Sequence, residues 1–284
     1  MTKRVLILAL LLGMASCHRA ARVEPNPETP ASPPASPSTE STVSARPPAL
    51  VASSRPGTPL PSPPAVPPEL PPGLIPRVRT RVEVPGDRPL YVYHAPATEQ
   101  RVIVYLHGVC GNVHAVDSWV EEATSYATLV AMLGDSPCAH RPGRYAWETG
   151  VSRLFERLEA ALGVVRAERG GLLDLDRPIL FGYSQGAARA EALAAQYPNR
   201  FPLVILGSPP TPPDAAQLGA CRRVALLVGG EEDRRSLIAA REDLDRAQID
   251  SQLFVLPHAH HGQYGPEAPR VVGSLLDWLM SAER

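Results

Sequence analysis

A serine between two glycines is the clearest candidate for chemistry in this chain. The pentapeptide Gly-Tyr-Ser-Gln-Gly at 182–186 follows the apolar run 178–181 and precedes the helix-forming run 187–195. A strand, a sharp turn and a helix hold a serine in a strained conformation, and flanking glycines let neighbouring backbones pass closely. The pattern predicts that Ser184 is a nucleophile raised above the sheet edge. An ordinary glycine-rich turn is the alternative.

A serine nucleophile requires a histidine base, and the base requires an acid that fixes its tautomer. The apolar run 224–228 predicts a buried strand, and an acidic cluster follows it: Glu231, Glu232 and Asp233. A carboxylate just past the carboxyl end of a strand lies where open α/β sheets build their sites. We predict Asp233 as the acid, with the two glutamates as poorer candidates. The cluster could instead cap the helix predicted at 234–246.

A cluster of histidines near the C-terminus contains the candidates for the base that would activate Ser184. The apolar run 252–256 is followed by His258, His260 and His261. We predict His261 as the base because Gly262 follows it, and a flexible loop suits a base that reaches over a serine. His260 is the possible alternative base. Such a cluster could also bind zinc or copper, but no cysteine or paired carboxylate nearby completes a site, so no metal is expected.

A turn after an earlier strand is a candidate for stabilising negative charge. The strand predicted at 101–106 leads into His107-Gly108-Val109. Such a turn can aim a backbone N–H at a developing oxyanion, together with the N–H of the residue after the nucleophile. The oxyanion-hole donors would be Val109 and Gln185. We interpret His107 as a structural residue that orders this loop.

Taken together and in this order, the motifs resemble those of the α/β-hydrolases, over about 77–284. The resemblance rests on the His-Gly turn, the G-x-S-x-G motif, the G-x-x-D after a later strand and the terminal histidine. It implies that Ser184, Asp233 and His261 are nucleophile, acid and base of a serine hydrolase. An esterase is the first expectation, acting on a small-molecule ester or acyl substrate. A peptidase or amidase, or a catalytically silent binding lipoprotein, is the alternative.

Strands that alternate with helices predict an α/β fold. We expect three layers, with a mostly parallel eight-stranded sheet, helices on both faces and no large cap domain. No helical pattern separates the first two strands, so they should form an antiparallel hairpin. Helices are predicted at 151–169, 234–246 and 269–282. Strands are predicted at 78–84, 90–94, 101–106, 128–133, 178–181, 202–206, 223–228 and 251–256.

Two aromatic residues and two cysteines are candidates for shaping the site. Tyr145 and Trp147 could line an acyl or alcohol pocket, or could be packing residues.

Cys110 and Cys138 follow the third and fourth strands, which are neighbours in the family's sheet. The resemblance therefore implies a Cys110–Cys138 disulfide that braces the oxyanion loop, which an oxidising compartment permits. Cys221 would then be a free, buried thiol.

The N-terminus predicts export. Basic residues at 2–4 and the apolar stretch 5–14 are typical of a signal peptide, and the stretch is too short to span a bilayer. The Met-Ala-Ser-Cys sequence that ends at Cys17 resembles the lipobox of bacterial lipoproteins. It implies a signal peptide at 1–16 and lipidation of Cys17, with His18 favouring the outer membrane. An ordinary secretory signal is the alternative.

The segment 17–76 predicts a disordered tether. It is rich in alanine and serine and contains more than half of the chain's 33 prolines. A segment of this composition cannot bury enough apolar surface to fold. The hydrolase domain is then expected at 77–284.

With 28 basic and 29 acidic residues, the chain has no electrostatic footprint for nucleic acid. Membrane contact is expected through the lipid anchor, and no sequence motif implies an organic cofactor.

Overall fold

A computed structural model describes residues 69–73 and 75–281. The predicted signal peptide, the lipidation site Cys17 and most of the predicted tether lie outside the described residues. Within the described ranges, no helix is both long and apolar enough to cross a membrane.

Short apolar runs form the strands, and all eight predicted strands are confirmed to within three residues at either end. The sequence analysis missed one small ribbon, β5 and β6, between the fourth and fifth strands of the main sheet. The strands are β1 (Arg79–Val82), β2 (Leu90–Tyr93), β3 (Val102–Leu106), β4 (Thr128–Met132), β5 (Ser136–Pro137), β6 (Tyr145–Ala146), β7 (Ile179–Tyr183), β8 (Leu203–Gly207), β9 (Arg223–Gly229) and β10 (Asp250–Leu256).

The predicted helices at 151–169, 234–246 and 269–282 are also confirmed, with ends shifted by one or two residues. The helices are α1 (Val120–Ala123), α2 (Val151–Glu168), α3 (Gln185–Gln196), α4 (Arg235–Arg246) and α5 (Ala268–Met280). A short 3₁₀ helix, Val113–Val116, precedes α1. The connection 208–222 contains neither helix nor strand.

In the described part of the chain, eight strands form one sheet in the order β1-β2-β4-β3-β7-β8-β9-β10. β1 and β2 form the predicted antiparallel hairpin, and β2 also pairs antiparallel with β4. Each remaining pair in the sheet is parallel. The carboxyl ends of β3, β7, β8, β9 and β10 therefore lie along one edge, where a site can form.

The strands are buried on both faces and divide the apolar side chains between two cores. In β3, Val104 belongs to the core covered by α2, α3 and α4, and its neighbour Tyr105 to the core covered by the 3₁₀ helix, α1 and α5. This alternation follows from the two-residue period of a strand. It produces the three predicted layers, helix on sheet on helix.

One buried histidine makes the fold sensitive to acid. His94 is fully buried, and neither ring nitrogen has a hydrogen-bond partner among the described residues. Burial, together with the nearby positive charge of Arg169, lowers its pKa from 6.5 to about 4. Below pH 6.5 the unfolded chain binds a proton that the folded chain does not bind until about pH 4. Stability present above pH 6.5 is therefore lost as the pH falls through this window.

We expect His94→Leu to reduce the dependence of stability on pH; the share contributed by His107, whose pKa burial also lowers to about 4, should remain. Urea unfolding of the wild type should show a loss of up to roughly 3 kcal/mol from this residue between neutral pH and pH 4. The variant removes the ionisable group without breaking a hydrogen bond, so its midpoint at pH 7 should not fall. His140→Leu, at an exposed histidine, should behave like the wild type. An equally steep acid loss in His94→Leu would contradict the assignment.

Candidate active site

Ser184 lies at the sharp turn between β7 and α3, as predicted. Its backbone is in the positive-φ region, with φ 53° and ψ −119°, which a non-glycine residue adopts only when its surroundings enforce it. A Cβ on Gly182 would lie 2.2 Å from the carbonyl oxygen of Gly186. A Cβ on Gly186 would lie 2.0 Å from the carbonyl oxygen of Leu106. Both glycines of the motif are therefore required sterically.

His261 contacts the serine and a carboxylate with its two ring nitrogens. His261 Nε2 lies 3.0 Å from Ser184 Oγ, and His261 Nδ1 lies 2.7 Å from Glu232 Oε2. An ionised carboxylate only accepts hydrogen bonds, so Nδ1 carries the proton and Nε2 can accept one from the serine. The three side chains form a continuous relay from carboxylate to hydroxyl.

The prediction of Asp233 as the partner of this histidine is wrong in the structure. Asp233 is exposed and turns away from His261 to form a forked pair with Arg235, with Oδ2 2.6 Å from one guanidinium nitrogen. This pair lowers the pKa of Asp233 to about 2. Glu232, named as a poorer candidate, occupies the position instead.

Glu232 is held by donors from three different strand ends. Its Oε1 accepts hydrogen bonds from Ser208 Oγ after β8, at 2.7 Å, and from the N–H of Gly229 at the end of β9, at 2.9 Å. Burial disfavours ionisation of this carboxyl, but these bonds and the one to His261 outweigh it and lower its pKa. The carboxylate is therefore both ionised and fixed in direction.

The other histidines of the cluster do not reach the serine. His260 is exposed, and its backbone N–H and carbonyl oxygen both form hydrogen bonds with Gln263. His258 is 91% exposed and lies near Glu231. In the part of the chain that the structure describes, no three His, Cys, Asp or Glu side chains group as metal ligands. The geometry favours His261 over His260 as the base.

His107 orders the loop 107–112, which holds the predicted oxyanion donor Val109 and is called the oxyanion loop below. His107 is fully buried, its Nδ1 lies 2.8 Å from the carbonyl oxygen of Gly108, and its Nε2 accepts from the N–H of Gly134 at 3.0 Å. Burial lowers the pKa of His107 to about 4, so the ring is neutral at neutral pH. Both ring nitrogens serve the loop backbone, in agreement with a structural role.

The two predicted oxyanion donors are placed beside the nucleophile. Val109 lines the same cavity as Ser184, and Gln185 is the first residue of α3, where a helix leaves its N–H unpaired. Among the described residues, neither backbone N–H donates a hydrogen bond. Their role in binding an oxyanion stays a prediction.

Trp147 and Tyr145 do not line the cavity that contains Ser184. Trp147 is 1% exposed, its indole N–H donates to the carbonyl oxygen of His107 at 2.7 Å, and its ring packs on the His107 ring. Tyr145 lies under the guanidinium of Arg88 and lines a neighbouring cavity. For Trp147 the packing alternative is confirmed.

Hydrogen bonds to Asp135 hold the segment that carries Trp147. Asp135 accepts hydrogen bonds from the backbone N–H groups of Glu148 and Thr149 at 3.1 and 3.0 Å. The buried guanidinium of Arg157 donates to Asp87 at 2.7 Å and to the carbonyl oxygen of Leu133 at 2.9 Å. The Asp135 hydrogen bonds hold the backbone next to Trp147, and the Arg157 contacts hold the end of β4 that precedes Asp135.

The predicted disulfide between Cys110 and Cys138 is present, and Cys221 is free and buried. A backbone hydrogen bond from Tyr145 N–H to the carbonyl oxygen of Gly111, 3.0 Å long, lies next to the disulfide. The oxyanion loop is thus tied covalently and by a backbone hydrogen bond to the segment that follows β4.

The cavity beside Ser184 is small and lined by phenols that the sequence analysis missed. Its volume is about 380 Å³, and Tyr105, Tyr183 and Tyr264 lie in its wall. The hydroxyls of Tyr105 and Tyr264 are 3.0 Å apart, and the hydroxyl of Tyr183 accepts from the N–H of Gly262 at 2.8 Å. The last contact holds the loop that carries the histidine base.

The fold and this edge-of-sheet site define the class of protein. No protein-family model matches the sequence, and no curated protein matches it significantly. Solved structures do match: a predicted CIB-like hydrolase from Thermoplasma acidophilum has a TM-score of 0.53 at 17% identity, covering 71% of this chain and 97% of that one. The chain therefore has the α/β-hydrolase fold.

Two further structures are similar to this chain. An S-formylglutathione hydrolase from Agrobacterium tumefaciens matches with a TM-score of 0.51 at 16% identity, covering 73% of this chain and 94% of that one. A dienelactone hydrolase from Anabaena variabilis matches with a TM-score of 0.50 at 19% identity, covering 72% and 96%. At these identities the likeness shows the fold, and the chemistry must be argued from the site.

Proposed function

We propose that the protein is a serine hydrolase that cleaves a small ester through an acyl-enzyme intermediate. The observation that carries the proposal is the unbroken relay Ser184–His261–Glu232, with contacts of 3.0 and 2.7 Å, at a strained turn that opens into a cavity. A fold that served binding alone would have no need to keep this alignment.

In the proposed reaction, Ser184 Oγ attacks the ester carbonyl while His261 Nε2 takes its proton. The imidazolium that forms is stabilised by Glu232, which stays ionised. His261 then gives the proton to the leaving alkoxide, and the acyl group remains on the serine. Water, deprotonated by the same nitrogen, attacks the acyl enzyme and releases the acid. The N–H groups of Val109 and Gln185 would bind the oxyanion in both steps.

The shape of the site favours an ester of modest size over a buried lipid chain. The cavity is small and no secondary structure in 208–222 covers it. A peptidase or amidase would use the same relay, and the structure offers no feature that selects an amine leaving group. We therefore keep ester hydrolysis as the proposed activity.

The first prediction for this function is selective labelling by a fluorophosphonate probe. The wild type should form a single covalent adduct, because the relay activates one serine. Ser184→Ala and His261→Ala should lose the adduct, and His260→Ala should keep it. Intact-mass measurement reads the adduct, and thermal melting shows that each variant is folded. A folded wild type that forms no adduct would rule out the hydrolase mechanism.

A second prediction separates the two adjacent carboxylates. Glu232→Gln should lower kcat/KM for a 4-nitrophenyl ester by about 10³-fold or more, because the amide no longer stabilises the correct tautomer and the imidazolium. Asp233→Asn is the matched control, since that side chain pairs with Arg235 at the surface, and should change the rate by less than about threefold. The reverse ranking would restore Asp233 as the acid.

We also propose that the enzyme acts while tethered to a bacterial membrane, with the outer membrane and its periplasmic or surface side favoured. The lipobox-like sequence before Cys17 and the proline-rich segment that follows it support this proposal. Expressed in a bacterium fed an alkyne fatty acid, the full chain should acquire the label and Cys17→Ser should not. An unlabelled wild type in the soluble fraction would contradict the anchor.

A further inference from the structure

The wall of the candidate active-site cavity carries a single cationic arginine and no carboxylate. Arg144 lines the cavity with Ser184 and His261, and the other lining side chains are apolar, phenolic, amide or imidazole. Glu232 is turned to the far side of His261 and is not in the wall. Among the lining side chains, the guanidinium of Arg144 is therefore the one that is always charged.

The guanidinium of Arg144 has no partner among the described residues; the exposed Arg141 in the same segment also has none, but only Arg144 of the two lines the cavity. Arg144 is exposed, and within the described ranges its guanidinium makes no hydrogen bond, ion pair or stacking contact. By contrast, Arg81 pairs with Glu83, Arg157 pairs with Asp87, and Arg88 covers the ring of Tyr145. An arginine that serves only stability would be expected to use its donors, so the five N–H groups of Arg144 are available to a ligand.

The backbone of Arg144 is held in place even though its side chain is free. Its N–H donates to the carbonyl oxygen of Arg141 and its carbonyl oxygen accepts from the N–H of Cys138, both at 3.0 Å. The disulfide then joins Cys138 to Cys110 in the oxyanion loop. The position of the guanidinium relative to Ser184 is therefore limited by a short, cross-linked segment.

The positive charge of Arg144 acts on His107, which lines the same cavity. The pKa of His107 is lowered chiefly by burial, and the positive charge of Arg144 contributes in the same direction. His107 lines the same cavity and orders the oxyanion loop. An electrostatic effect that reaches His107 can also act on a substrate bound beside it.

We propose that Arg144 binds a carboxylate of the substrate, so that the preferred substrates are short esters carrying a negative charge. This inference rests on the proposed hydrolase function. The planar guanidinium matches a carboxylate with two parallel hydrogen bonds, which gives direction as well as attraction. With a volume of about 380 Å³ and both Arg144 and Ser184 in its wall, the cavity suits a small ester whose charged end lies near its carbonyl carbon.

Two pairs of chromogenic esters test the proposal on the full chain. In the first pair the acyl group differs: the mono-4-nitrophenyl ester of adipic acid is compared with 4-nitrophenyl 6-methylheptanoate, in which an isopropyl group replaces the carboxylate. In the second pair the leaving group differs: 3-carboxy-4-nitrophenyl acetate is compared with 4-nitrophenyl acetate. The pairs report which half of the ester Arg144 contacts.

Arg144→Gln should lower kcat/KM about tenfold for the charged member of one pair, mainly through KM, and leave its neutral partner within about twofold. The preference of the wild type should weaken as salt is added. Arg141→Gln is the matched control, because Arg141 is exposed in the same segment and does not line the cavity. It should retain the wild-type preference.

The outcomes separate failure of the inference from failure of the function. If Arg144→Gln changes charged and neutral esters equally, or neither, the carboxylate subsite is overturned while the hydrolase function stands. If the folded wild type hydrolyses none of the four esters and forms no fluorophosphonate adduct, both are overturned. Loss of the charged-ester preference in Arg141→Gln as well would assign the effect to the segment and not to Arg144.

Discussion

The close approach of three backbones at the turn after β7 is the constraint on which the site depends. Gly186 lies so near the end of β3 that even a methyl group would overlap the carbonyl oxygen of Leu106. This contact places the start of α3 directly against the oxyanion loop. A Cβ on Gly108 would lie 3.1 Å from the Ser184 Cβ, so nucleophile and loop are as close as packing allows. The positive φ of Ser184 is the conformational cost of that arrangement.

The same edge of the sheet brings together Glu232 and His261, which follow strands further along the chain. Ser208 and Gly229 hold one oxygen of Glu232, and the other oxygen meets His261 on the loop after β10. A Cβ on Gly229 would lie 2.3 Å from the carbonyl oxygen of Ala259. The loop that carries Glu232 and the loop that carries His261 are thus packed against each other. These backbone contacts fix the positions of the two side chains relative to each other.

The positions of the strands and the sharp turn that carries Ser184 could be predicted because they depend on local patterns. Apolar runs of four to seven residues and a glycine-flanked serine have physical meaning within a few positions of the chain. The choice between Glu232 and Asp233 depends instead on donors from Ser208 and Gly229 and on the competing Arg235. Tertiary contacts decide which carboxylate meets the histidine, and the spacing of residues along the chain does not predict those contacts.

Trp147 shows the same limit and indicates how the site is stabilised. An aromatic residue in a loop suggests a pocket wall, yet its indole N–H donates to the carbonyl oxygen of His107, and Asp135 holds the backbone that follows it. The disulfide ties the same loop from the side. An oxyanion hole is effective only when its donors are already oriented, and in the proposed function these contacts supply that orientation for the loop that holds Val109. Substrate selection then falls to the few side chains that remain free at the cavity wall, and Arg144 is the charged one among them.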